Sequence, residues 1–176
     1  MTGCEDMDVS EGGIKMVVVD HQKCQYPVDL YRNLQKDGVR SVQFIPLVER
    51  DEKGNLTAES VSSEDWGRFL NTVFDIWVRE DITRISIPLF DNTLNRWCGR
   101  TGQADRQTIS LLSTRCQSCS LLQFYRGDCP AYCDDGKGGL CAGYQAFFDH
   151  TAPHMRVMRD LLKQHRSPME LMAMLR

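Results

Sequence analysis

Five of the eight cysteines in this chain fall within residues 116 to 141, in the order Cys116-x2-Cys119-x9-Cys129-x3-Cys133-x7-Cys141. Gly127, Pro130, Gly136, Gly138 and Gly139 break up the same segment. Glycine and proline let a chain fold back on itself, so that several sulfurs can face one centre. Convergent thiolates are the ligands of iron–sulfur clusters and of tetrahedral zinc. The plainer readings are disulfide pairs or cysteines set singly in a core, and the spacing favours a metal or a cluster over both.

Other chemistry-bearing residues are sparse. His21, His150, His154 and His165 share no spacing with the cysteines, and Pro153 interrupts the helical turn between His150 and His154, so all four read as surface or capping residues. Cys4, Cys24 and Cys98 stand alone and read as structural or incidental. Glu49 and Asp51 follow an apolar run, at the end of a strand where β/α barrels place active sites. No glycine-rich phosphate loop and no Ser-His-Asp or Cys-His arrangement is present, and no catalytic residue is assigned.

The elements that must position the cysteines alternate in the first half. Residues 14–19 (IKMVVV) form a continuous β-branched run, as expected of a strand buried on both faces. Pro27 opens a helix carrying Val28, Tyr31 and Leu34, and Gly38 ends it. Residues 42–48 (VQFIPLV) read as a second strand with Pro46 near its end, and 51–62 as a polar loop. Ser62 or Ser63 caps a long helix with Glu64 and Asp65 in its first turn. Trp66, Phe69, Leu70, Val73, Phe74 and Trp77 make its core-facing stripe. Residues 84–89 (RISIPL) read as a third strand, followed by a short helix with Phe90, Leu94 and Trp97, capped by Asp91.

The last third is helical. The pattern predicts one helix over 142–150, a second from Thr151 with Pro153 in its first turn, and a short third opened by a Ser167–Glu170 capping box. Three β-α units in succession imply parallel strands with right-handed crossovers. Three strands are few for such a sheet, so the pattern looks like the tail of something larger, with an unpaired edge. Ile14, Val17, Val19, Phe44 and Ile85 are expected to be left partly exposed there, making the chain oligomeric, aggregation-prone or dependent on a partner.

Composition sets the surroundings. The net charge is −3 with lysine and arginine scattered, which argues against a nucleic-acid footprint. The opening residues MTGCEDMDVSEGG are acidic and lack the pattern of a signal peptide, and no apolar run reaches the ~20 residues that span a bilayer. A cytoplasmic protein is expected, in a reducing compartment where clustered thiols hold metal more often than they form disulfides.

Four stretches carry a resemblance to a known family: QYPVDLYRNLQKDGVRSVQFIPLVERD, WGRFLNTVFDIWVREDITRISIPLFD, RCQSCSLLQFYRGDCP and LCAGYQAFFDH. They resemble the C-terminal part of the anaerobic sulfatase-maturating enzymes, radical S-adenosylmethionine proteins with a C-terminal SPASM domain. The resemblance runs from about Gly13 to the end with one large gap. It implies an α/β fold: a partial parallel (β/α) barrel of about three β-α units, then a shortened cysteine-rich SPASM-like region and C-terminal helices. The implied segments are a disordered N-terminus over 1–12, barrel over 13–97, the shortened iron–sulfur region over 98–145 and helices over 146–176. In the family, S-adenosylmethionine supplies a 5′-deoxyadenosyl radical that begins the oxidation of a sulfatase cysteine or serine to formylglycine.

The departures from the family pattern are specific. The Cys-x3-Cys-x2-Cys loop that holds the radical cluster is absent, so S-adenosylmethionine is not expected to be used by this chain alone. Between Cys98 and Cys116 the family has a cysteine-bearing segment with Cys-Asp-His, whereas residues 99 to 115 contain no cysteine. Within the motif, Tyr125 stands where the family has its third cysteine. The resemblance implies that Cys116, Cys119 and Cys141 hold an auxiliary [4Fe–4S] cluster, with Cys129 or Cys133 as the fourth ligand. Three readings follow: part of a maturase-like enzyme that needs a chain carrying the radical half, with a sulfatase as substrate; a non-catalytic iron–sulfur module; or a structural zinc module. A truncated gene copy is also compatible with the missing parts.

Overall fold

A computed structural model describes residues 13–100 and 139–176. Two parallel strands, β1 (Lys15–Val19) and β2 (Val42–Pro46), pair in the register Lys15–Val42 to Val19–Pro46. Between them lie a single turn, α1 (His21–Cys24), and α2 (Pro27–Lys36), whose proline sits where its missing N–H costs nothing. Gly38 follows at φ +69°, the left-handed conformation that ends the helix and that glycine adopts without strain.

The long helix α3 (Ser63–Glu80) begins as its sequence demands. Ser62 Oγ accepts the N–H of Asp65 at 3.1 Å, and Glu64 and Asp65 occupy the positive end of the helix dipole. All six residues of its apolar stripe are buried. Phe69 meets Phe44 of β2 edge-on, while Phe74 and Trp77 pack on Phe90. Helix α4 (Pro88–Trp97) follows, with Asp91 accepting the hydroxyl of Ser86 at 2.5 Å.

The third strand does not form. Only Ser86 bridges in parallel to Ser41, and the helix begins two residues later. Pro88 is the reason: it has no N–H for a ladder, and its fixed φ suits the first turn of a helix. Asp91 lies inside that first turn rather than capping it; Ile87 is the N-cap and makes no side-chain bond. Among the described residues the architecture is an α/β fold with a two-stranded parallel sheet and helices on one face, and no third strand joins the two.

The C-terminal helices also differ from expectation. Instead of a break at Thr151 there is one helix, α5 (Cys141–Lys163), with Pro153 inside it. An internal proline costs a helix about 3 kcal/mol, and here the packing of Phe147, Thr151, Met155 and Met158 into the core outweighs it. The last helix, α6 (Glu170–Met174), has no capping box: Ser167 Oγ accepts the N–H of Met169 at 3.2 Å, and Glu170 pairs with Arg166.

On the sheet, Ile14, Val17 and Phe44 are partly exposed as expected, whereas Val19 and Ile85 are not. Val19 and Ile85 are buried, and Val17 and Phe44 pack against the core. The exposed residues are Ile14 at 38%, Met16 at 47% and Val18 at 46%. They alternate along β1, so among the described residues the helices cover one face of the strand and leave the other open. The first twelve residues lie outside the described residues.

Candidate functional site

Cys141 is the one proposed metal ligand among the described residues, and it opens α5. Cys116, Cys119, Cys129 and Cys133, and Tyr125, lie outside the described residues. Cys141 is half-buried and forms no disulfide among the described residues. Its backbone is held firmly from two residues away. The Gly143 N–H donates to Ser63 Oγ at 2.8 Å, and a Cβ at position 143 would lie 2.2 Å from the Ser63 carbonyl oxygen. Glycine at 143 therefore lets the start of α5 lie directly on the start of α3. Gly67, one turn further along α3, also lies against Gly143, with a Cβ there 3.0 Å from the Gly143 Cα.

The helices α3 and α5 run in the same direction. Ser63 meets Gly143, Phe74 meets Phe147, and Asp75 meets His150. Helix α4 runs with them: Phe90 stacks on Phe147, and Trp97 lies under the guanidinium groups of Arg156 and Arg159. Cys98, at the end of α4, is therefore at the Arg156 level of α5. At 1.5 Å per residue that is about 20 Å from Cys141, too far for one metal centre. Cys24 lies nearer the Cys141 end, its Sγ donating to the Asp65 carbonyl at 3.3 Å. Burial, then the negative charge of Asp65, pushes its thiol up to about 12, so it stays protonated and serves packing rather than ligation.

The histidines are placed differently from expectation. His150 and His154 lie on one uninterrupted helix, both against Phe74 of α3. His150 Nε2 is 2.8 Å from Asp75 Oδ1. His154 Nδ1 is buried with no hydrogen-bond partner, and burial lowers the affinity of its ring for a proton. Among the described residues no group of three or more His, Cys, Asp or Glu side chains is placed to hold a metal.

At the other site of interest, Glu49 is part of a turn scaffold. Its N–H donates to Ser60 Oγ at 2.8 Å and its carbonyl accepts from the same hydroxyl at 2.9 Å. Asp51 closes the next turn, accepting the N–H groups of Asn55 at 2.8 Å and Lys53 at 2.9 Å. Those bonds, the one from Asn55 first, hold its carboxyl below the usual range. Asp51 thus shapes the loop.

Sequence reasoning missed a polar cluster where α2 ends beside the end of α3. Asp81 is buried and accepts from Tyr31 Oη at 3.0 Å and Gln35 Nε2 at 2.5 Å. Arg32 pairs with Glu80 beside it and holds that carboxyl below its ordinary value. A cleft of about 610 Å³ opens there, with Arg40 and Arg84 on its wall. The spacing Tyr31–Gln35 on one helix face was the available signal, but nothing local links it to Asp81, fifty residues away. Tyr31 and Gln35 both bond to Asp81 Oδ2, and Arg84 lies 3.9 Å from its Oδ1, an arrangement that reads as a structural lock.

These features make an α/β protein whose fold resembles part of the anaerobic sulfatase-maturating enzymes. Native anSMEcpe with bound AdoMet superposes with a TM-score of 0.62 at 17% identity, covering 84% of this chain and 57% of that one. The same protein with AdoMet and the Cp18Cys peptide gives a TM-score of 0.61 at the same identity and coverage. In sequence, the serine-type anaerobic sulfatase-maturating enzyme of Bacteroides thetaiotaomicron is 28% identical over 235 residues, which covers 92% of this chain and 57% of the enzyme. The chain matches the C-terminal part of these proteins and spans little more than half their length. The 235 aligned positions exceed the length of the chain, so the alignment passes through a gap in it. No family model matches. The uncharacterized protein YidF of Escherichia coli K12 is 50% identical over 177 residues, spanning 100% of both chains, and this chain belongs to the YidF family.

No helix among the described residues is long and apolar enough to cross a membrane.

Proposed function

We propose that this chain is a maturase-derived module that holds one auxiliary [4Fe–4S] cluster and does not perform the radical reaction alone. The observation that carries the reading is the position of Cys141. The last cysteine of the five-cysteine run sits at a helix start locked onto α3, in a chain that aligns with a sulfatase maturase over 92% of its length. A half-buried thiol on an immobile backbone fits a cluster ligand, and the positive end of the helix dipole favours the negative charge of a thiolate-ligated centre.

Cys116, Cys119 and Cys141 supply three ligands, with Cys129 or Cys133 the fourth. A bound cluster supplies electron transfer or a structural staple. The chain's own contribution is to fix Cys141 through the Gly143–Ser63 contact and to keep Cys24 protonated and out of competition. No residue of the chain is assigned a catalytic role. The family reaction, oxidation of a sulfatase cysteine or serine, requires in addition a polypeptide carrying the Cys-x3-Cys-x2-Cys half, and a sulfatase is then the substrate partner. The chain is read as cytoplasmic, in keeping with reduced thiols.

Anaerobic reconstitution with iron and sulfide tests the reading. A brown protein with broad absorption near ~400 nm and about four irons and four sulfides per chain is expected. Stoichiometric zinc without sulfide would replace the cluster by a structural zinc site. With a strong reductant and S-adenosylmethionine, the reconstituted chain is expected to release no 5′-deoxyadenosine above a no-protein control; turnover would show that the chain is an enzyme by itself.

A further inference from the structure

The cleft between the ends of α2 and α3 carries more positive charge than its own carboxylates neutralise. Arg32 is committed to Glu80, and Asp81 Oδ2 to Tyr31 and Gln35. Arg84 is 68% exposed and 3.9 Å from Asp81 Oδ1, a loose pair of the kind that contributes little. Arg40 is also exposed, and its side chain has no partner among the described residues. Three guanidiniums against two carboxylates leave a surplus positive charge on the wall of a cavity of about 610 Å³. That volume is within the range that takes small-molecule ligands.

The backbone of the cleft is unusual too. Thr83 lies on its wall at φ +65°, in the left-handed region that a β-branched residue rarely adopts. Such strain persists only where the surroundings impose it, and it gathers at ligand clamps. Here the N–H groups of Arg84 and Ile85 both donate to the Asp81 carbonyl, at 2.9 and 3.1 Å, and the tight turn they make holds Thr83 in place. The N–H groups of Thr83 and Arg40 donate to no acceptor among the described residues. Gly38 also lines the cleft, and a Cβ there would meet nothing within 4 Å, so that part of the wall is open. Arg40 precedes β2 and Glu49 follows it, which sets the cleft at the opposite end of the strand from the one where β/α barrels place active sites.

We propose that this cleft binds a phosphorylated small molecule, its phosphate held by Arg40 and Arg84. A cation is disfavoured by the charge surplus, and Glu80 and Asp81 are already engaged by the lock. An oxyanion satisfies both guanidiniums and the free N–H groups at once. Phosphate suits them better than a carboxylate, because two guanidinium forks offer more donors than two coplanar oxygens accept, while a phosphate monoester presents three terminal oxygens and up to two charges. Val39 and Ile85, also on the wall, give the organic part of the ligand an apolar surface. The site is independent of the cysteines and of any cluster they hold.

Titration of the isotope-labelled full chain with phenyl phosphate, followed by amide NMR at constant ionic strength, tests this. Saturable shifts are expected at residues 38–41 and 82–85, with inorganic phosphate producing the same shifts at higher concentration. Arg40→Ala and Arg84→Ala are each expected to weaken binding about tenfold, the worth of a charge-assisted hydrogen bond. Both side chains are exposed, so helical circular dichroism should be unchanged. Lys36→Ala removes an exposed cation of α2 that does not line the cleft, and it should leave the affinity as it was. Absence of saturation, shifts centred elsewhere, or an equal loss in Lys36→Ala would each overturn the proposal. Benzoate binding as tightly as phenyl phosphate would overturn it in favour of a carboxylate site.

Discussion

The N–H of Gly143 donates to Ser63 Oγ at 2.8 Å, across the point where two parallel helices begin. Eighty residues of sequence separate the pair, and the contact carries the start of α5, with Cys141, onto the N-cap region of α3. The position of the proposed metal ligand depends on it.

Gly143→Ala is therefore expected to be strongly destabilising. The added methyl would meet the Ser63 carbonyl oxygen at 2.2 Å, and backbone cannot swing aside as a flexible side chain can. Overpacking of this kind costs about 1–3 kcal/mol or more. Chemical denaturation should show the midpoint falling, and cluster content should fall with it. A stable variant with full iron content would mean that α5 slides without consequence for Cys141.

Cysteine substitutions should separate ligands from bystanders. Cys119→Ala and Cys141→Ala are expected to abolish iron binding, whereas Cys98→Ala leaves it intact, because Cys98 lies at the far end of the α4–α5 pair. Iron and sulfide analysis after anaerobic reconstitution reads this directly. Loss of iron in Cys98→Ala with retention in Cys141→Ala would reverse the assignment.

Tyr31→Phe should cost about 1–3 kcal/mol, the range for a buried polar group stripped of a partner. Buried Asp81 would lose one of its two hydrogen bonds and keep the one from Gln35, with Arg84 3.9 Å from its other oxygen. The phenol of Tyr31 is held protonated by burial and then by Asp81, so no alkaline transition from it is expected below the range where the fold itself fails. Thermal denaturation of the variant checks the magnitude.

His154 gives the chain an acid sensitivity. Burial lowers its proton affinity in the folded state below the ordinary value of about 6.5. The unfolded chain then binds the proton more readily, so stability is full above that value and falls as pH drops through about 6.5 and below. The groups around it act in both directions: Asp75 favours the proton, while His150 and Arg79 oppose it. His154→Leu should flatten the decline of the unfolding midpoint between about pH 7 and 5. An unchanged slope would assign the sensitivity to other groups.

Local physics was legible in the residues alone. The proline start and glycine stop of α2, the Ser62 cap of α3 and its buried aromatic stripe all follow from propensities that act within one or two turns. So did the resemblance carried by the cysteine run and its flanks, because ligand spacing is a property of the chain. Competition between local and long-range terms was not legible. Pro88 turned an apolar run that reads as a strand into the first turn of a helix, leaving a single bridge at Ser86. Pro153 reads as a break, yet the packing of α5 along α3 keeps the helix whole, since burying several side chains outweighs one lost hydrogen bond. The Asp81 lock, the separation of Cys98 from Cys141 and the open face of β1 likewise belong to tertiary structure. Each depends on which surfaces meet between elements distant in sequence, or on which surface is left uncovered among the described residues, and no window of sequence contains that information.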